Sequence, residues 1–223
     1  MTVYIIIPTY NEEKSIRAVI KDIKNSFNEA RIIIVDDASD DQTVAFAQNL
    51  PIAIILQHAV NRGQGAALKT GTECAIIEGA DIIVHFDADG QFLADEIKDM
   101  TAPIVNGQAD IVFGSRFLDK KSSMPWLKKN IIMPLARLIN KIFFNVQLSD
   151  PQAGFRAFSR EAYKKIEWQQ DRMAHCSEIM RNAFKNKLRI KEVPITVIYK
   201  DFGQKFSGGF RILKDMFIGR FTR

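Results

Sequence analysis

The sequence has few of the features that mark disulfide-bonded, zinc-binding or membrane-spanning proteins. Its 223 residues contain two cysteines, Cys74 and Cys176, which lie far apart within helical patterns. A zinc site or a disulfide framework is typically built from several regularly spaced cysteines, so the sequence argues against both. The longest apolar runs, such as residues 131–136, have six or seven residues, whereas a helix that crosses a bilayer needs roughly 20. We therefore expect no transmembrane helix.

A secretory signal is also missing. The chain enters an apolar, β-branched run at residues 3–7 (VYIII) without the basic region, longer apolar stretch and cleavage site of a signal peptide. We therefore expect a cytoplasmic protein. Hydrophobic residues make up 47% of the chain and charged residues 26%, which excludes disorder and predicts a single domain with one substantial core.

The net charge of +5 is unevenly distributed. Residues 180–223 contain eleven Lys or Arg against three Asp or Glu, an excess of eight positive charges, so residues 1–179 carry an excess of three negative charges. This asymmetry favours an anionic partner near the C-terminal end: a nucleic acid, a phosphorylated ligand or a lipid headgroup. A solvated basic surface is the alternative.

Strand-like and helix-like segments alternate regularly in the first half of the chain. Apolar runs predict strands at residues 3–7, 31–35, 52–56, 81–86 and 110–113, and helical patterns lie near 12–26, 40–49, 64–78 and 93–106. This order predicts an α/β fold with a single Rossmann-like, mostly parallel sheet and helices on both of its faces.

The second half is less regular. The patterns predict helices over 125–146 and 174–186, a short strand after the turn that begins at Ser149, a strand over 188–199 and a surface loop over 200–209. Residues 209–223 form a basic amphipathic pattern, which predicts a helix that docks on the core or lies on a membrane surface.

Unusual polar residues follow the predicted strands. Because the carboxyl ends of parallel strands share one edge of the sheet, these loops should meet in a single cleft. Asp87 and Asp89 stand out, because carboxylates at a strand end beside a glycine suit a hard divalent cation that carries a phosphorylated substrate. An ordinary helix cap is the alternative. The loops are residues 9–13 (TYNEE), 36–41 (DDASDD), 61–65 (NRGQG), 87–91 (DADGQ) and 114–116 (GSR).

Two common nucleotide-binding motifs fit poorly. No glycine-rich turn follows the first strand, and the pair Gly63 and Gly65 lacks the third glycine of a dinucleotide fingerprint. Lys69 and Thr70 lack the preceding glycine of a phosphate loop. We expect Gly63 and Gly65 to allow a close backbone approach at the start of a helix.

Taken in order, the loops resemble glycosyltransferase family 2, and are most similar to its polyprenol phosphate sugar transferases, the group of the dolichol phosphate mannosyltransferases. The resemblance runs from about residue 3 to residue 208. It implies the GT-A fold, a nucleotide sugar of the GDP-mannose or UDP-glucose type, Mg²⁺ or Mn²⁺, and transfer with inversion. The segments that carry it are PTYNE, VDDASDDQT, NRGQGAALKTG, DADGQ, GSRF and DPQAGFRAF.

The resemblance also implies roles for individual residues. The residues implied in the nucleoside pocket are Pro8, Tyr10, Glu12, Val35 and Asp37, with Asp87 and Ala88 near the ribose. Asp89 and Gln91 match the metal-binding positions. Arg116 matches an arginine beside the donor phosphates. Lys205 matches a basic residue that closes over the donor or the acceptor. With Arg156 of the GFR segment, the implied catalytic set is Asp89, Arg116, Arg156 and Lys205.

The acceptor is inferred partly from a missing motif. Processive family members supply a general base from a Thr-Glu-Asp motif followed by Gln-x-x-Arg-Trp; here the nearest counterpart is Ser177 and Glu178, and the second motif has none. A phosphate acceptor is already ionised and needs no base. It needs cations, which Lys128, Lys129, Arg156 and Lys205 offer. We therefore expect a polyprenyl phosphate acceptor and a structural role for Glu178; a role as base or acceptor-site residue is the alternative.

The expected organisation is one GT-A domain with a nucleotide-sugar-binding half (1–116), an acceptor-side region (117–208) and the C-terminal helix (209–223). We expect the protein to associate peripherally with the inner face of the membrane, directly or through a small membrane-anchoring protein, and to have no nucleic acid partner. The alternatives are a family 2 enzyme with a saccharide or other hydroxyl acceptor, a nucleotidyltransferase, and a noncatalytic nucleotide-sugar-binding protein.

Overall fold

A computed structural model describes residues 1–50, 54–118, 148–150 and 154–198. The strands in this part of the chain are β1 (Val3–Thr9), β2 (Arg31–Asp36), β3 (Ile54–Gln57), β4 (Ile82–His85), β5 (Ile111–Ser115), β6 (Arg156–Ser159) and β7 (Ile190–Pro194). The helices are α1 (Ile16–Ser26), α2 (Thr43–Gln48), α3 (Gln64–Ile77), a 3-10 turn (Ala94–Glu96), α4 (Ile97–Val105), α5 (Arg160–Ile166) and α6 (His175–Lys185).

The seven strands form one sheet in the order β3-β2-β1-β4-β6-β5-β7. Strand β6 runs antiparallel to its neighbours β4 and β5, and the other pairs are parallel. The predicted mostly parallel sheet is therefore confirmed. Strand β1 has β2 as its neighbour on one side and β4 on the other, so the strand order reverses between β1 and β4. Sheets of this kind bind ligands in a crevice at the carboxyl ends of the strands where the order reverses.

Both faces of the sheet are covered, as predicted. On one face, Ile5 and Ile7 of β1 belong to a core with the apolar residues of α1, which recur every three or four positions. On the other face, Tyr4 and Ile6 pack with residues of α3, α5 and α6. A Cβ on Gly71 would lie 2.4 Å from Ile6 Cγ2, so only glycine lets α3 pack this closely on β1.

The later elements differ in part from the predictions. Strand β7 ends at Pro194 rather than at residue 199, because proline cannot donate a ladder hydrogen bond. Helix α5 was not predicted; the side chain of Ser159 caps it by accepting a hydrogen bond from Ala162 N. The helices predicted over 125–146 and 209–223, the loop 200–209, and Lys128, Lys129 and Lys205 lie outside the described residues.

Candidate active site

The loop after β4 folds the two predicted metal ligands onto one turn. Gly90 has a φ of 68°, a left-handed conformation that glycine adopts without strain. The turn lets Gln91 N donate a hydrogen bond of 2.9 Å to Asp89 Oδ1. Asp89 and Gln91 are half-buried, whereas Ala88 between the two aspartates is buried. The turn therefore presents an acidic and an amide side chain at the edge of the sheet where β4 ends.

Asp87 is held from two sides. Gln64 Nε2, at the first position of α3, donates to Asp87 Oδ1 at 2.8 Å. On the other side Gly154 lies so close that a Cβ there would be 2.7 Å from Asp87 Oδ2. Burial raises the pKa of Asp87 to about 7, with the charges of Asp89 and Cys176 adding to the increase and those of Arg156 and His175 opposing it.

Asp37, at the end of β2, is buried and engaged by the loop that follows β3. Its Oδ1 accepts hydrogen bonds from Arg62 N at 2.9 Å and His58 Nδ1 at 2.7 Å, and its Oδ2 accepts one from Gly63 N at 2.6 Å. Because Gln64, which follows Gly63 at the start of α3, binds Asp87, residues 61–65 connect the acids of β2 and β4 at this edge of the sheet.

The glycines of this connecting loop allow the predicted close backbone approach. A Cβ on Gly65 would lie 2.3 Å from Gln170 O, and a Cβ on Gly63 would lie 2.6 Å from Asp171 O. Ala66 N donates to the same Asp171 carbonyl at 3.0 Å. The interpretation of Gly63 and Gly65 as packing glycines is confirmed.

The predicted nucleoside residues of β1 and β2 lie side by side. Pro8 and Val35 are register partners in the parallel pair, and both are buried. Tyr10, just beyond β1, is 50% exposed, which leaves its ring accessible for stacking on a base. Glu12 is partly buried, and its Oε2 accepts a hydrogen bond from Ser15 Oγ at 2.6 Å. Their contact with a nucleoside stays a prediction.

Arg116, just after β5, is fixed by a carboxylate that sequence analysis missed. Its Nε donates to Asp150 Oδ2 at 2.5 Å and its Nη2 to Asp150 Oδ1 at 2.7 Å, a two-point contact. Asp150 is fully buried. Glu192 of β7 in turn accepts hydrogen bonds from the backbone of Ser149 and Asp150. Asp150 lies in the DPQAGFRAF segment, but that segment predicted no role for it, and no motif pointed to Glu192.

Arg156 is 1% exposed, so it lies behind the site rather than on its surface. Its Nε donates to Gly154 O at 3.2 Å, and its Nη2 donates to Cys176 Sγ at 3.0 Å. Cys176 Sγ is also 3.4 Å from His175 Nε2. The guanidinium is therefore directed into the protein, and a direct catalytic role for Arg156, including contact with an acceptor phosphate, stays a prediction.

The same contacts change the acidity of Cys176. Burial alone raises the pKa of the thiol, but His175 and Arg156 outweigh it through charge and hydrogen bonds and lower the pKa to about 6. The folded thiol thus ionises below the ordinary value of about 8.5. The stability that the thiolate contributes is fully present above that value and is lost as the pH falls through about 6.

This acidity is measurable from the ultraviolet absorbance of the thiolate. The absorbance of the wild-type protein minus that of Cys176→Ala is expected to titrate with a midpoint near pH 6. Cys74→Ala is the matched control, because burial and the charge of Glu78 raise the pKa of Cys74. A midpoint for Cys176 at the ordinary thiol value of about 8.5 would contradict the contact with Arg156.

Glu178, in the first turn of α6, anchors a loop. Its Oε2 accepts hydrogen bonds from Gln169 N at 2.9 Å and Gln170 N at 3.0 Å. Its Oε1 lies 3.7 Å from an Arg181 nitrogen. These contacts favour the structural role over that of a general base.

The residues of the turn suit a divalent cation that is coordinated partly by the protein and partly by a bound substrate. Within the described ranges, no group of three or more His, Cys, Asp or Glu side chains could hold a metal ion by itself. Mg²⁺ in nucleotide-dependent enzymes is usually bound through one or two carboxylates together with phosphate oxygens and water. The oxygens of Asp89 and Gln91 match that chemistry.

Comparisons with known proteins show which family the chain belongs to. The sequence model of "Glycosyl transferase family 2" matches residues 4–167. The chain is 38% identical to the UDP-N-acetylglucosamine–dolichyl-phosphate N-acetylglucosaminyltransferase of Methanococcus voltae, over 94% of this chain and 92% of the relative. It is 29% identical to the polyprenol monophosphomannose synthase of Mycolicibacterium smegmatis, over 96% and 83% of the two chains.

Solved structures support the fold. Glucosyl-3-phosphoglycerate synthase from Mycobacterium tuberculosis, crystallised with Mn²⁺, uridine diphosphate and phosphoglyceric acid, superposes with a TM-score of 0.74 at 16% identity, covering 97% of this chain and 76% of that one. Within the part of the chain that the structure describes, no helix is both long and apolar enough to traverse a bilayer. With its sheet order, its acidic turn after β4 and these matches, the chain belongs to glycosyltransferase family 2 and is a nucleotide-sugar-dependent glycosyltransferase with the GT-A fold.

Proposed function

We propose that this enzyme transfers a hexose, with inversion and with a divalent cation, from a nucleoside diphosphate sugar to a polyprenyl phosphate at the membrane surface. The observation that carries the proposal is the arrangement at the crevice between β1 and β4, where residues 61–65 join Asp37 to Asp87 beside the turn of Asp89 and Gln91. In this proposal the edge would hold the nucleoside at β1 and β2, and the diphosphate beside a cation at the turn after β4.

The donor would lie across the strand ends. The exposed ring of Tyr10 would stack on the base beside Pro8, Glu12 and Val35, with Asp37 near the base edge. Asp87, which Gln64 orients from α3, would accept hydrogen bonds from the ribose hydroxyls. The metal at Asp89 and Gln91 would neutralise charge on the departing diphosphate.

Arg116 would complete the charge stabilisation. Because Asp150 holds the guanidinium at two points, Arg116 has a fixed direction before the substrate arrives, and preorganised charge is what lowers a barrier most effectively. Lys205, outside the described residues, would add a second positive charge as its loop closes over the donor or acceptor.

The acceptor would attack as an ionised phosphate. One of its oxygens forms a bond to the anomeric carbon while the bond from that carbon to the diphosphate oxygen breaks, and the nucleoside diphosphate leaves with the electron pair. No proton has to be removed from the acceptor, so no general base is required. The names of the Methanococcus voltae and Mycolicibacterium smegmatis relatives, which refer to a dolichyl phosphate and to a polyprenol monophosphate sugar, support this acceptor class.

Association with the cytoplasmic face of the membrane would bring the enzyme to its lipid acceptor. The basic segments 125–146 and 209–223, with Lys128 and Lys129 in the first, would contact anionic headgroups, or a small membrane protein would anchor the enzyme. Each Lys or Arg near an anionic surface contributes roughly 1 kcal/mol, so direct binding should weaken as salt is added. Flotation with anionic vesicles tests this.

The donor is identified by a thermal-shift panel of GDP-mannose, UDP-glucose and UDP-N-acetylglucosamine, each with and without Mn²⁺. A ligand at 100 times its Kd raises the free energy of unfolding by about 2.7 kcal/mol. We expect one donor to raise the melting temperature by several degrees, and only with the metal. If none of the three shifts it, the donor-site assignment is wrong.

The acceptor class is tested with Glu178→Gln. The glutamine keeps an oxygen that can accept from Gln169 N and Gln170 N, but it cannot remove a proton. Transfer to polyprenyl phosphate is expected to stay within about threefold of wild type, because no base is used. With a hydroxyl acceptor and Glu178 as base, the rate should instead fall by about 10² or more.

A further inference from the structure

We propose that Cys176 is a positioning residue for the donor ribose, because its sulfur fixes the Arg156 guanidinium and thereby the backbone that supports Asp87. The inference rests on the proposed function, since it assigns the ribose to Asp87. The sequence predicts neither a metal site nor a disulfide at Cys176.

A continuous series of contacts leads from the sulfur to the carboxylate. Cys176 Sγ accepts a hydrogen bond from Arg156 Nη2 at 3.0 Å, and Arg156 Nε donates to Gly154 O at 3.2 Å. The Gly154 Cα then lies against Asp87, close enough that an added Cβ would be 2.7 Å from Oδ2. Gln64 binds the other oxygen, Oδ1, at 2.8 Å. The carboxylate is thus held between α3 and the backbone at Gly154.

The surroundings of the sulfur support a specific contact rather than general packing. Cys176 and Arg156 are both buried, so a sulfur that accepts from the guanidinium offsets part of the cost of burying its charge. His175 Nδ1 donates to Arg172 O at 2.8 Å, and His175 Nε2 lies 3.4 Å from the same sulfur. The pKa of Cys176, lowered to about 6 by His175 and Arg156 against the effect of burial, agrees with a sulfur that carries negative charge.

Strand β4, which pairs with β6 at Arg156, is joined to α3 by a separate contact. Arg156 is the register partner of His85 across the β4 and β6 pair, and His85 Nε2 lies 3.0 Å from Thr72 Oγ1. His85 is buried, and burial together with the charges of Arg156 and His175 lowers its pKa well below the usual value. The hydrogen bonds of Arg156 to Gly154 O and Cys176 Sγ join β6 to the backbone beside Asp87 and to α6.

The test compares ribose recognition in matched variants. Calorimetric titration with Mn²⁺ measures the Kd of UDP and GDP and of their 2′,3′-dideoxy counterparts for the wild-type protein, Cys176→Ala, Cys176→Ser and Cys74→Ala. Cys176→Ala is expected to weaken binding of the preferred ribonucleotide by about tenfold and to leave the dideoxy nucleotide unchanged. Cys176→Ser keeps an acceptor for Arg156 and should bind within about threefold of wild type, as should Cys74→Ala.

A merely structural role would give a different pattern. Loss of affinity for ribo- and dideoxynucleotides to the same extent, or unchanged binding of both by Cys176→Ala, would overturn the inference. If Cys176→Ala does not fold, Cys176→Val fills the sulfur's volume without an acceptor and replaces it in the same comparison. Failure of the proposed function is distinct, because the wild-type protein would then bind neither diphosphate.

Discussion

Replacement of Asp89 by asparagine is expected to lower the rate of sugar transfer by about 10³-fold with little change in stability. Asparagine retains an oxygen that can accept the hydrogen bond from Gln91 N, so the turn around Gly90 should persist. It removes the negative charge that would hold the cation against the donor diphosphate. Initial rates at saturating donor and Mn²⁺, with the melting temperature of each protein, measure the two effects separately.

Asp95→Asn is the matched control for this substitution. Asp95 lies in the 3-10 turn between β4 and α4, as Asp89 lies in the loop after β4. It accepts a hydrogen bond from Ser26 Oγ on α1, away from the crevice. Its replacement should leave transfer within about threefold of wild type. A rate for Asp89→Asn within tenfold of wild type would show that Asp89 does not hold a catalytic metal.

Gly154→Ala is expected to reduce transfer by about 10² while costing little stability. The added Cβ would lie 2.7 Å from Asp87 Oδ2, the mobile end of a side chain, so the carboxylate moves instead of the fold. A displacement of about 1 Å in a group that orients the substrate is enough for a loss of this size. Steady-state kinetics should show this loss of transfer rate together with weaker binding of the donor.

Gly79→Ala is the control for Gly154→Ala, because it should change stability and not transfer. Gly79 has a φ of 85° and open space around its Cα, so alanine there meets no neighbour but adopts a strained backbone. We expect it to lower the free energy of unfolding by about 1 kcal/mol and leave transfer unchanged. If Gly154→Ala retained wild-type transfer and donor affinity, the assignment of Asp87 to the donor would be wrong.

The sheet was predictable because its strands are local patterns. The β-branched runs of β1, β2 and β4 mark buried strands in any context, and the helical segments between them imply parallel pairing. The insertion of antiparallel β6 between β4 and β5 was not predictable in the same way, since the residues that pair, such as Val84 and Ala157, are far apart in the chain. Helix α5 has too few residues for its period to be distinctive.

The candidate site was predictable as a set of loops but not as a set of contacts. The motifs identified Asp37, Asp87 and Arg116, whose chemistry is visible in the residue type. The residues that orient them, Gln64 and Asp150, act through hydrogen bonds that depend on how distant segments pack. In the sequence, Glu192 looks like an ordinary strand residue. Its role depends on its contact with Ser149, which is 43 residues away in the chain.

Cys176 illustrates the same limit. Its isolation in the sequence correctly argued against a disulfide, and Cys74 and Cys176 are both free thiols in the structure. Isolation says nothing about the buried partners that folding brings to the sulfur. The contact with Arg156 spans 20 residues and joins α6 to β6, so no local spacing encodes it.

Transfer of radiolabelled hexose from the donor found in the thermal-shift panel to a lipid acceptor tests the central claim most directly. Polyprenyl phosphate and the matching polyprenol, which lacks the phosphate, are supplied in parallel with Mn²⁺ or with a chelator. Labelled lipid is expected only with polyprenyl phosphate and only with the metal. Equal labelling of polyprenol, or full activity in the chelator, would contradict it.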